Sequence, residues 1–312
     1  MHKIFIDGSA GTTGLRIKQR LQQRNDIELL ELPEELRKNE VARTEISNAS
    51  DLVFLCLSDN IAKLAVPNIN SNVKIIDAST AHRCLDNWVY GMPELCNEQR
   101  NKIRNAKRVA NCGCHATGFI ALVRPLIKKG IISKDYPIVA HSITGYSGGG
   151  KKMIADYENT NRSFYYNSPC QYALLQDHKH IVEMQKYSLL DNLPSFQPIV
   201  ADFYSGMSVT VPLNKILLSQ SIIANDLLEI YKEYYHESEL INIENKQNTQ
   251  LPANKLSGFD DMKISAYGKD NFIVNACFDN LGKGASGTAI QNMNLMLDVE
   301  ETTGLLLSDK EK

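Results

Sequence analysis

The segment Ala110-Asn111-Cys112-Gly113-Cys114-His115-Ala116-Thr117-Gly118 holds the residue types of a thiol nucleophile. It joins the apolar stretch Arg108 to Ala110 to a helical pattern that runs to Lys129 and stops at Gly130. A cysteine at such a helix start meets unpaired amides and the positive end of the helix dipole, which favour thiolate over thiol. The competing state of a free cysteine is a small buried hydrophobe. Two cysteines two apart also suggest a metal or redox pair. No further Cys or His cluster at ligand spacing accompanies them, so no metal is expected. Asp177-His178-Lys179-His180 opens another helix and offers a general acid/base. A lone histidine is more often structural, and on spacing His180 is the better candidate than His178 or His115.

A second chemistry lies near the start of the chain. Gly8, Gly11 and Gly14 are spaced G-x-x-G-x-x-G, with Thr12 and Thr13 between them, after the apolar run Lys3 to Asp7 and before helically spaced Leu15, Ile17 and Leu21. Glycine is needed where the backbone must approach a pyrophosphate, whose charge is met by amides at the helix start. The same spacing also serves a turn that only packs strand against helix. At the end of the next strand Glu31 could accept a ribose 2′-hydroxyl, whereas Arg37 and Lys38 could hold a 2′-phosphate, so the balance leans towards NADP. Ser58 and Ser79, just after the third and fourth strands, are counted with the cofactor residues. Arg83 is a candidate anion clamp, and Lys151 and Lys152, beyond the flexible Gly145 to Gly150, are candidate anion ligands.

Positioning such groups requires a particular order of elements. Lys3 to Asp7, Ile27 to Leu32, Leu52 to Leu57, Val73 to Asp77 and Arg108 to Ala110 are short, nearly continuous apolar runs, separated by helical or loop segments. That pattern predicts a Rossmann-like, doubly wound parallel sheet covered on both faces. From about Pro137 the runs alternate, at Ile138 to Thr144, Met207 to Val211, Lys263 to Tyr267 and Phe272 to Cys277, which predicts a mostly antiparallel or mixed sheet in a second α+β domain. Helices are expected near residues 151 to 160, 178 to 190 and 225 to 236, and residues 237 to 258 as a solvated excursion. A further helix over 285 to 299 carries Ala289, Ile290, Met293, Met296 and Leu297 on one face. The 312 residues accommodate about two domains. With 34 Lys+Arg against 36 Asp+Glu, there is no cationic surplus for nucleic acid or an anionic membrane. No apolar run is long enough for a membrane span or a signal peptide. Seven cysteines without a zinc-like pair fit reduced thiols in the cytoplasm.

Taken in order, the motifs become recognisable. Asp7-Gly8 with Gly11-Thr12-Thr13-Gly14-Leu15, Asp77 to Arg83, Trp88 to Leu95, Asn111-x-Gly113-Cys114, Gly145 to Lys151, Lys179-His180-x-x-Glu183-Met184 and Asn280 to Gly287 resemble the N-acetyl-gamma-glutamyl-phosphate reductases of the shorter type, over about residues 3 to 300. The resemblance implies Cys114 as nucleophile, His180 as base and NADPH at Gly8 to Gly14. It also implies a role in arginine biosynthesis, a small acyl-phosphate substrate, and a homodimer or homotetramer formed through the second domain's sheet. It further implies a discontinuous first domain, 1–114 with 285–312, around a second domain at 115–284. The family's Asn-Pro-Gly-Cys-Tyr-Pro-Thr is here Asn111-Cys112-Gly113-Cys114-His115-Ala116-Thr117, and Val182 stands where it has Pro. Losing those prolines relaxes the backbone near both catalytic candidates. Cys112 stays a competing thiol, since the similar aspartate-semialdehyde dehydrogenases place the nucleophile directly after Asn; the ungapped Gly113-Cys114-x-x-Thr117-Gly118 favours Cys114. Rival functions are an aspartate-semialdehyde dehydrogenase, a reductase of carrier-bound acyl phosphates, or an inactive nucleotide-sensing homologue.

Overall fold

The computed structural model describes residues 1–245 and 248–309. It separates into two compact units, Met1–Gly113 with Ala285–Leu305, and Cys114–Gly284 with the chain from Leu306 on.

In the first unit the apolar runs become β1 (His2–Asp7), β2 (Ile27–Leu30), β3 (Leu52–Leu55), β4 (Lys74–Asp77), β5 (Val89–Gly91) and β6 (Arg108–Asn111), with α1 (Thr12–Leu21), α2 (Glu40–Asn48), α3 (Asp59–Ala65) and α4 (Gln99–Asn105) between them. The sheet is parallel, in the order β2-β1-β3-β4-β6-β5. Successive side chains alternate between two buried faces. Ile4, Ile6, Leu52 and Phe54 join Ile17 and Leu21 of α1 on one, while Phe5, Val53 and Leu55 join Ile69, Val73 and Trp88 on the other. This is why the strands read as continuous apolar runs rather than as alternation. The second and third strands end at Leu30 and Leu55, two residues short of the apolar runs, and β5, three residues between Trp88 and Met92, is too short to stand out as a strand of its own.

The helix Gly287–Met296 closes this unit, and every one of its residues is buried. The sequence predicts only one apolar face; the polar face is buried as well because its amide nitrogens find acceptors. Gln291 donates to Glu94 and Glu301 at 2.7 and 2.6 Å, Asn292 to the Gly91 carbonyl at 2.9 Å, and Asn294 to the carbonyls of Glu301 and Thr303 at 3.0 and 2.9 Å. Buried polar groups satisfied in this way avoid their desolvation penalty.

The second unit contains α5 (Cys114–Lys128), β7 (Val139–Gly145), α6 (Gly150–Glu158), β8 (Cys170–Gln171), α7 (His180–Ser188), β9 (Ser195–Ala201), β10 (Met207–Asn214), α8 (Ala224–Tyr234), β11 (Ile241–Ile243), β12 (Met262–Gly268) and β13 (Asn271–Phe278). Its mixed sheet runs β11-β12-β13-β10-β7-β9-β8. Helices α5 and α8 pack on this sheet, while His141, Ile143, Pro212 and Ile273 point outward and are exposed. The stretch 237–258, expected to be solvated, instead contributes β11, parallel to β12, and buries Leu240, Ile241 and Leu256; residues 246 and 247 lie outside the described residues. Three apolar anchors among Asn, Glu and Gln are too sparse to show as a period.

The resemblance also implies that 285–312, and Cys114, belong to the first unit. In the structure Cys114 opens α5 in the second unit, and the chain from Leu306 returns there too. The Leu306 carbonyl accepts from the Asp260 N–H at 2.7 Å and the Leu306 N–H donates to the Asp260 carboxylate at 2.9 Å, while Ser308 donates through N–H and hydroxyl to Asp261 at 3.0 and 2.7 Å. Two buried carboxylates thus capture the chain end; residues 310–312 lie outside the described residues. Among the described residues no helix is long and apolar enough to cross a membrane.

Helix α5 approaches the sheet at Gly118. A Cβ there would lie 2.7 Å from both Phe278 Cε1 and Val209 Cγ2. Gly118→Ala is therefore expected to lower stability by about 1–3 kcal/mol through overpacking, read as a lower denaturation midpoint at unchanged m-value. An unaltered midpoint would show that the helix has room to move off the sheet.

Candidate active site

The glycine turn of the first unit has no space for side chains. Gly8 has φ +89°, and a Cβ on it would come within 2.3 Å of the Cys56 carbonyl oxygen, at the end of β3. On Gly14 it would come within 2.5 Å of the Gly8 oxygen, so the turn folds tightly onto the first turn of α1. No side chain caps α1 at Gly11, which leaves the helix start for an anion. Thr12 Oγ1, in that first turn, is buried without a hydrogen-bond partner among the described residues, and Thr13 is half-buried beside it. A cavity of about 540 Å³ opens at this turn, lined by Gly8, Ser9, Glu31, Arg37 and Lys38 among others. An orphaned hydroxyl and an uncapped helix start at the glycine turn, next to a cavity lined by Gly8, Ser9 and Ala10 of that turn, fit a bound dinucleotide phosphate.

The other residues singled out in this unit are tied to their own turn. Ser58 is the exposed N-cap residue of α3, its carbonyl accepting from Ala62 N–H at 2.9 Å. Ser79 donates through its N–H and hydroxyl to Asp77 at 2.9 and 2.7 Å. His82 Nδ1 also meets Asp77, at 2.5 Å, and stacks on Trp88 with ring centroids 4.2 Å apart. Arg83 is buried and donates to the carbonyls of Asn111 and Ala78 at 2.8 and 3.1 Å. The segment from Asp77 to Arg83 is thus a built turn, and Arg83 ties the end of β6 besides carrying charge.

In the second unit Cys114 is the first residue of α5 and is half-buried. Gly284 makes room for it, since a Cβ there would lie 2.9 Å from Cys114 Cβ. Cys112, by contrast, is 1% exposed. His180 opens α7, which packs beside α5. Its ring centroid lies 5.6 Å from that of His115 and 4.6 Å from that of His178. The His180 N–H donates to His178 Nδ1 at 3.1 Å, which places the proton of a neutral His178 on Nε2. His115, buried, spends both ring nitrogens, Nδ1 on the Ser142 hydroxyl at 2.6 Å and Nε2 on the Tyr172 hydroxyl at 2.7 Å. Burial, aided by His178, pushes His115 down to about 3, so it is neutral throughout the working range. Desolvation, with a smaller contribution from Cys114, raises the Tyr172 phenol. Lys151 and Lys152 lie exposed in the first turn of α6, with no ion-pair partner among the described residues.

The structure thus gathers His180, His178, His115 and Tyr172 into one cluster, adjoining Cys114 through its chain neighbour His115. Tyr172 and Ser142 are invisible in the sequence, because only the β7–β9 pairing and the loop before α7 bring them to the first turn of α5. No ligating group of three or more His, Cys, Asp or Glu exists among the described residues.

The buried His115 predicts a pH dependence. The unfolded chain binds this proton below about 6.5, the folded one only near 3, so the native state loses stability as pH falls through that window. His115→Phe should make denaturant-derived stability less steep in pH between about 7 and 5, by up to about one proton. An unchanged slope would contradict a neutral His115.

Two family descriptions match the chain, "Semialdehyde dehydrogenase, NAD binding domain" over residues 22–105 and "Semialdehyde dehydrogenase, dimerisation domain" over residues 114–280. The chain is 42% identical to an N-acetyl-gamma-glutamyl-phosphate reductase of Sinorhizobium medicae over 305 residues, covering 95% of this chain and 98% of that one. It is 41% identical to N-acetyl-gamma-glutamyl-phosphate reductase 2 of a Nostoc species, covering 97% and 99%. Among solved structures it is similar to aspartate semialdehyde dehydrogenase II of Vibrio cholerae in complex with ASA (TM-score 0.70, 14% identity, 96% and 98% covered). It is likewise similar to the Candida albicans aspartate semialdehyde dehydrogenase with NADP (TM-score 0.63, 14% identity, 96% and 99% covered). At such identities these structures share the fold alone.

Proposed function

Because the chain belongs to the N-acetyl-gamma-glutamyl-phosphate reductase family, we propose an assignment of its residues to the steps of that family's reaction. The reaction is the NADPH-dependent reduction of N-acetyl-gamma-glutamyl phosphate to N-acetylglutamate 5-semialdehyde and phosphate through a cysteine thioester, in arginine biosynthesis. Hydride does not readily displace phosphate from an acyl phosphate in one step, whereas a thiolate does.

The observation that carries the assignment is the half-buried thiol at the head of α5 beside the imidazole cluster at the head of α7. His180 takes the Cys114 proton, the sulfur attacks the gamma-carbonyl carbon, and the carbon–oxygen bond to phosphate breaks. His180 then passes its proton to the departing phosphate. Amides in the first turn of α5, with the Tyr172 hydroxyl, hold the carbonyl oxygen while it bears charge. Bound NADPH supplies the hydride that reduces the thioester. Collapse of the resulting thiohemiacetal frees the aldehyde and returns Cys114 to thiolate.

Gly8, Gly11, Thr12, Thr13 and Gly14 hold the pyrophosphate, Arg37 the 2′-phosphate, and Ser58 and Ser79 support the cofactor at the ends of β3 and β4. Arg83, Lys151 and Lys152 meet the substrate's phosphate and carboxylate. The outward face of the second unit's sheet, with Ile143 and Ile273 exposed, joins copies into a homodimer or homotetramer. The cysteines are free thiols, in keeping with a reducing cytoplasm.

Cys114→Ser should abolish phosphate-dependent NADP reduction with N-acetylglutamate semialdehyde and leave NADP binding intact, while Cys112→Ser retains activity. The opposite outcome would move the nucleophile to Cys112. His180→Asn should lower turnover by about a hundredfold or more; an unchanged rate would make His180 structural.

A further inference from the structure

A carboxylate just after the second strand of a dinucleotide fold accepts the ribose 2′-hydroxyl of NAD and repels the 2′-phosphate of NADP. Glu31 stands at that place, next to the end of β2. By itself it would make the cavity an NAD site. In this structure, however, the carboxylate is already engaged, since the Lys18 ammonium donates to Glu31 Oε2 at 2.6 Å. Lys18 comes from α1, the helix that starts at the glycine turn, and both residues line the same cavity.

The remaining charges of that cavity point the same way. Asp7 is bound by Arg43 through Nε and Nη2 at 2.9 and 2.6 Å, so these two offset each other. Among the described residues Arg37 meets only the exposed Glu34, at 3.8 Å. Lys38 has no ion-pair partner among the described residues. With Lys18 on Glu31 and Arg43 on Asp7, the cations left to a ligand are Arg37 and Lys38.

We infer that Lys18 is a specificity-determining residue that, by holding Glu31, cancels the charge selecting NAD and opens this rim of the cavity to a 2′-phosphate bound by Arg37 and Lys38. The inference rests on the cavity being the dinucleotide site. The side chains of the pair are 22% and 48% exposed. A pair so placed contributes little to stability, and replacing Lys18 should therefore alter ligand choice rather than folding.

The test is calorimetric titration of NADP and NAD into the whole chain as wild type, Lys18→Ala, Glu31→Gln and the double variant. Lys18→Ala releases the Glu31 charge, and the expected result is a Kd for NADP weaker by about tenfold or more, the cost of one uncompensated like charge, with NAD binding unchanged or tighter. Adding Glu31→Gln should restore most of the lost NADP affinity. Equal weakening of both dinucleotides by Lys18→Ala would overturn the inference, and so would a double variant no better than the single, because Lys18 would then be a ligand in its own right. A wild-type chain that binds neither dinucleotide would instead overturn the assignment of the cavity itself.

Discussion

The carboxamide of Asn111 anchors the end of β6, the strand that leads towards Cys114. It is buried, donates to the Ala285 carbonyl at 3.0 Å and accepts from Asn292 Nδ2 at 3.0 Å, while its own carbonyl accepts from Arg83 at 2.8 Å. The chain leaves the first unit after Gly113 and re-enters it at Ala285, so one side chain fixes both passages. The Asn292 amide extends the tie to Gly91 of β5. A buried amide donor or acceptor left unmatched costs about 1–3 kcal/mol, so the polar residues of the helix Gly287–Met296 and of the Asp77 to Arg83 turn depend on one another.

A second constraint governs the chemistry. The rings of His115, His178 and His180 lie 4.6 to 5.6 Å apart, and at such spacing a positive charge on one ring disfavours a positive charge on its neighbour. The protein keeps His115 neutral and uses it as a two-ended bridge between Ser142 and Tyr172. That bridge stands where the family's motif has a tyrosine. Gly284, which makes way for Cys114, and Gly118, which lets α5 sit close on Phe278, show that the thiol is placed by backbone proximity as much as by polar contacts.

Much of this was legible in the residues. Parallel strands buried on both faces betray themselves as short apolar runs, and the glycine turn lay between a strand and a helix. Cys114 opens a helix because the apolar pattern of α5 begins there. What escaped detection was short or paired at long range. The strand β5 is three residues, and β11 rests on Leu240 and Ile241 amid polar neighbours. The polar face of the helix Gly287–Met296 reads as solvent-facing until Glu94, Arg24 and Asn111 are known to be its partners. Tyr172 follows the two-residue strand β8, and nothing local marks it as a neighbour of α5. Glu31 alone argues for NAD; only the fold shows that Lys18 holds it.

If Cys114 is the nucleophile, it and not Cys112 carries the acyl group. The direct measurement is mass spectrometry of the protein mixed with N-acetyl-gamma-glutamyl phosphate in the absence of NADPH, with phosphate release followed in parallel. The expected result is one phosphate released per active site and an N-acetylglutamyl adduct on the Cys114 sulfur. An adduct on Cys112, or stoichiometric phosphate release with no acylated cysteine, would contradict it.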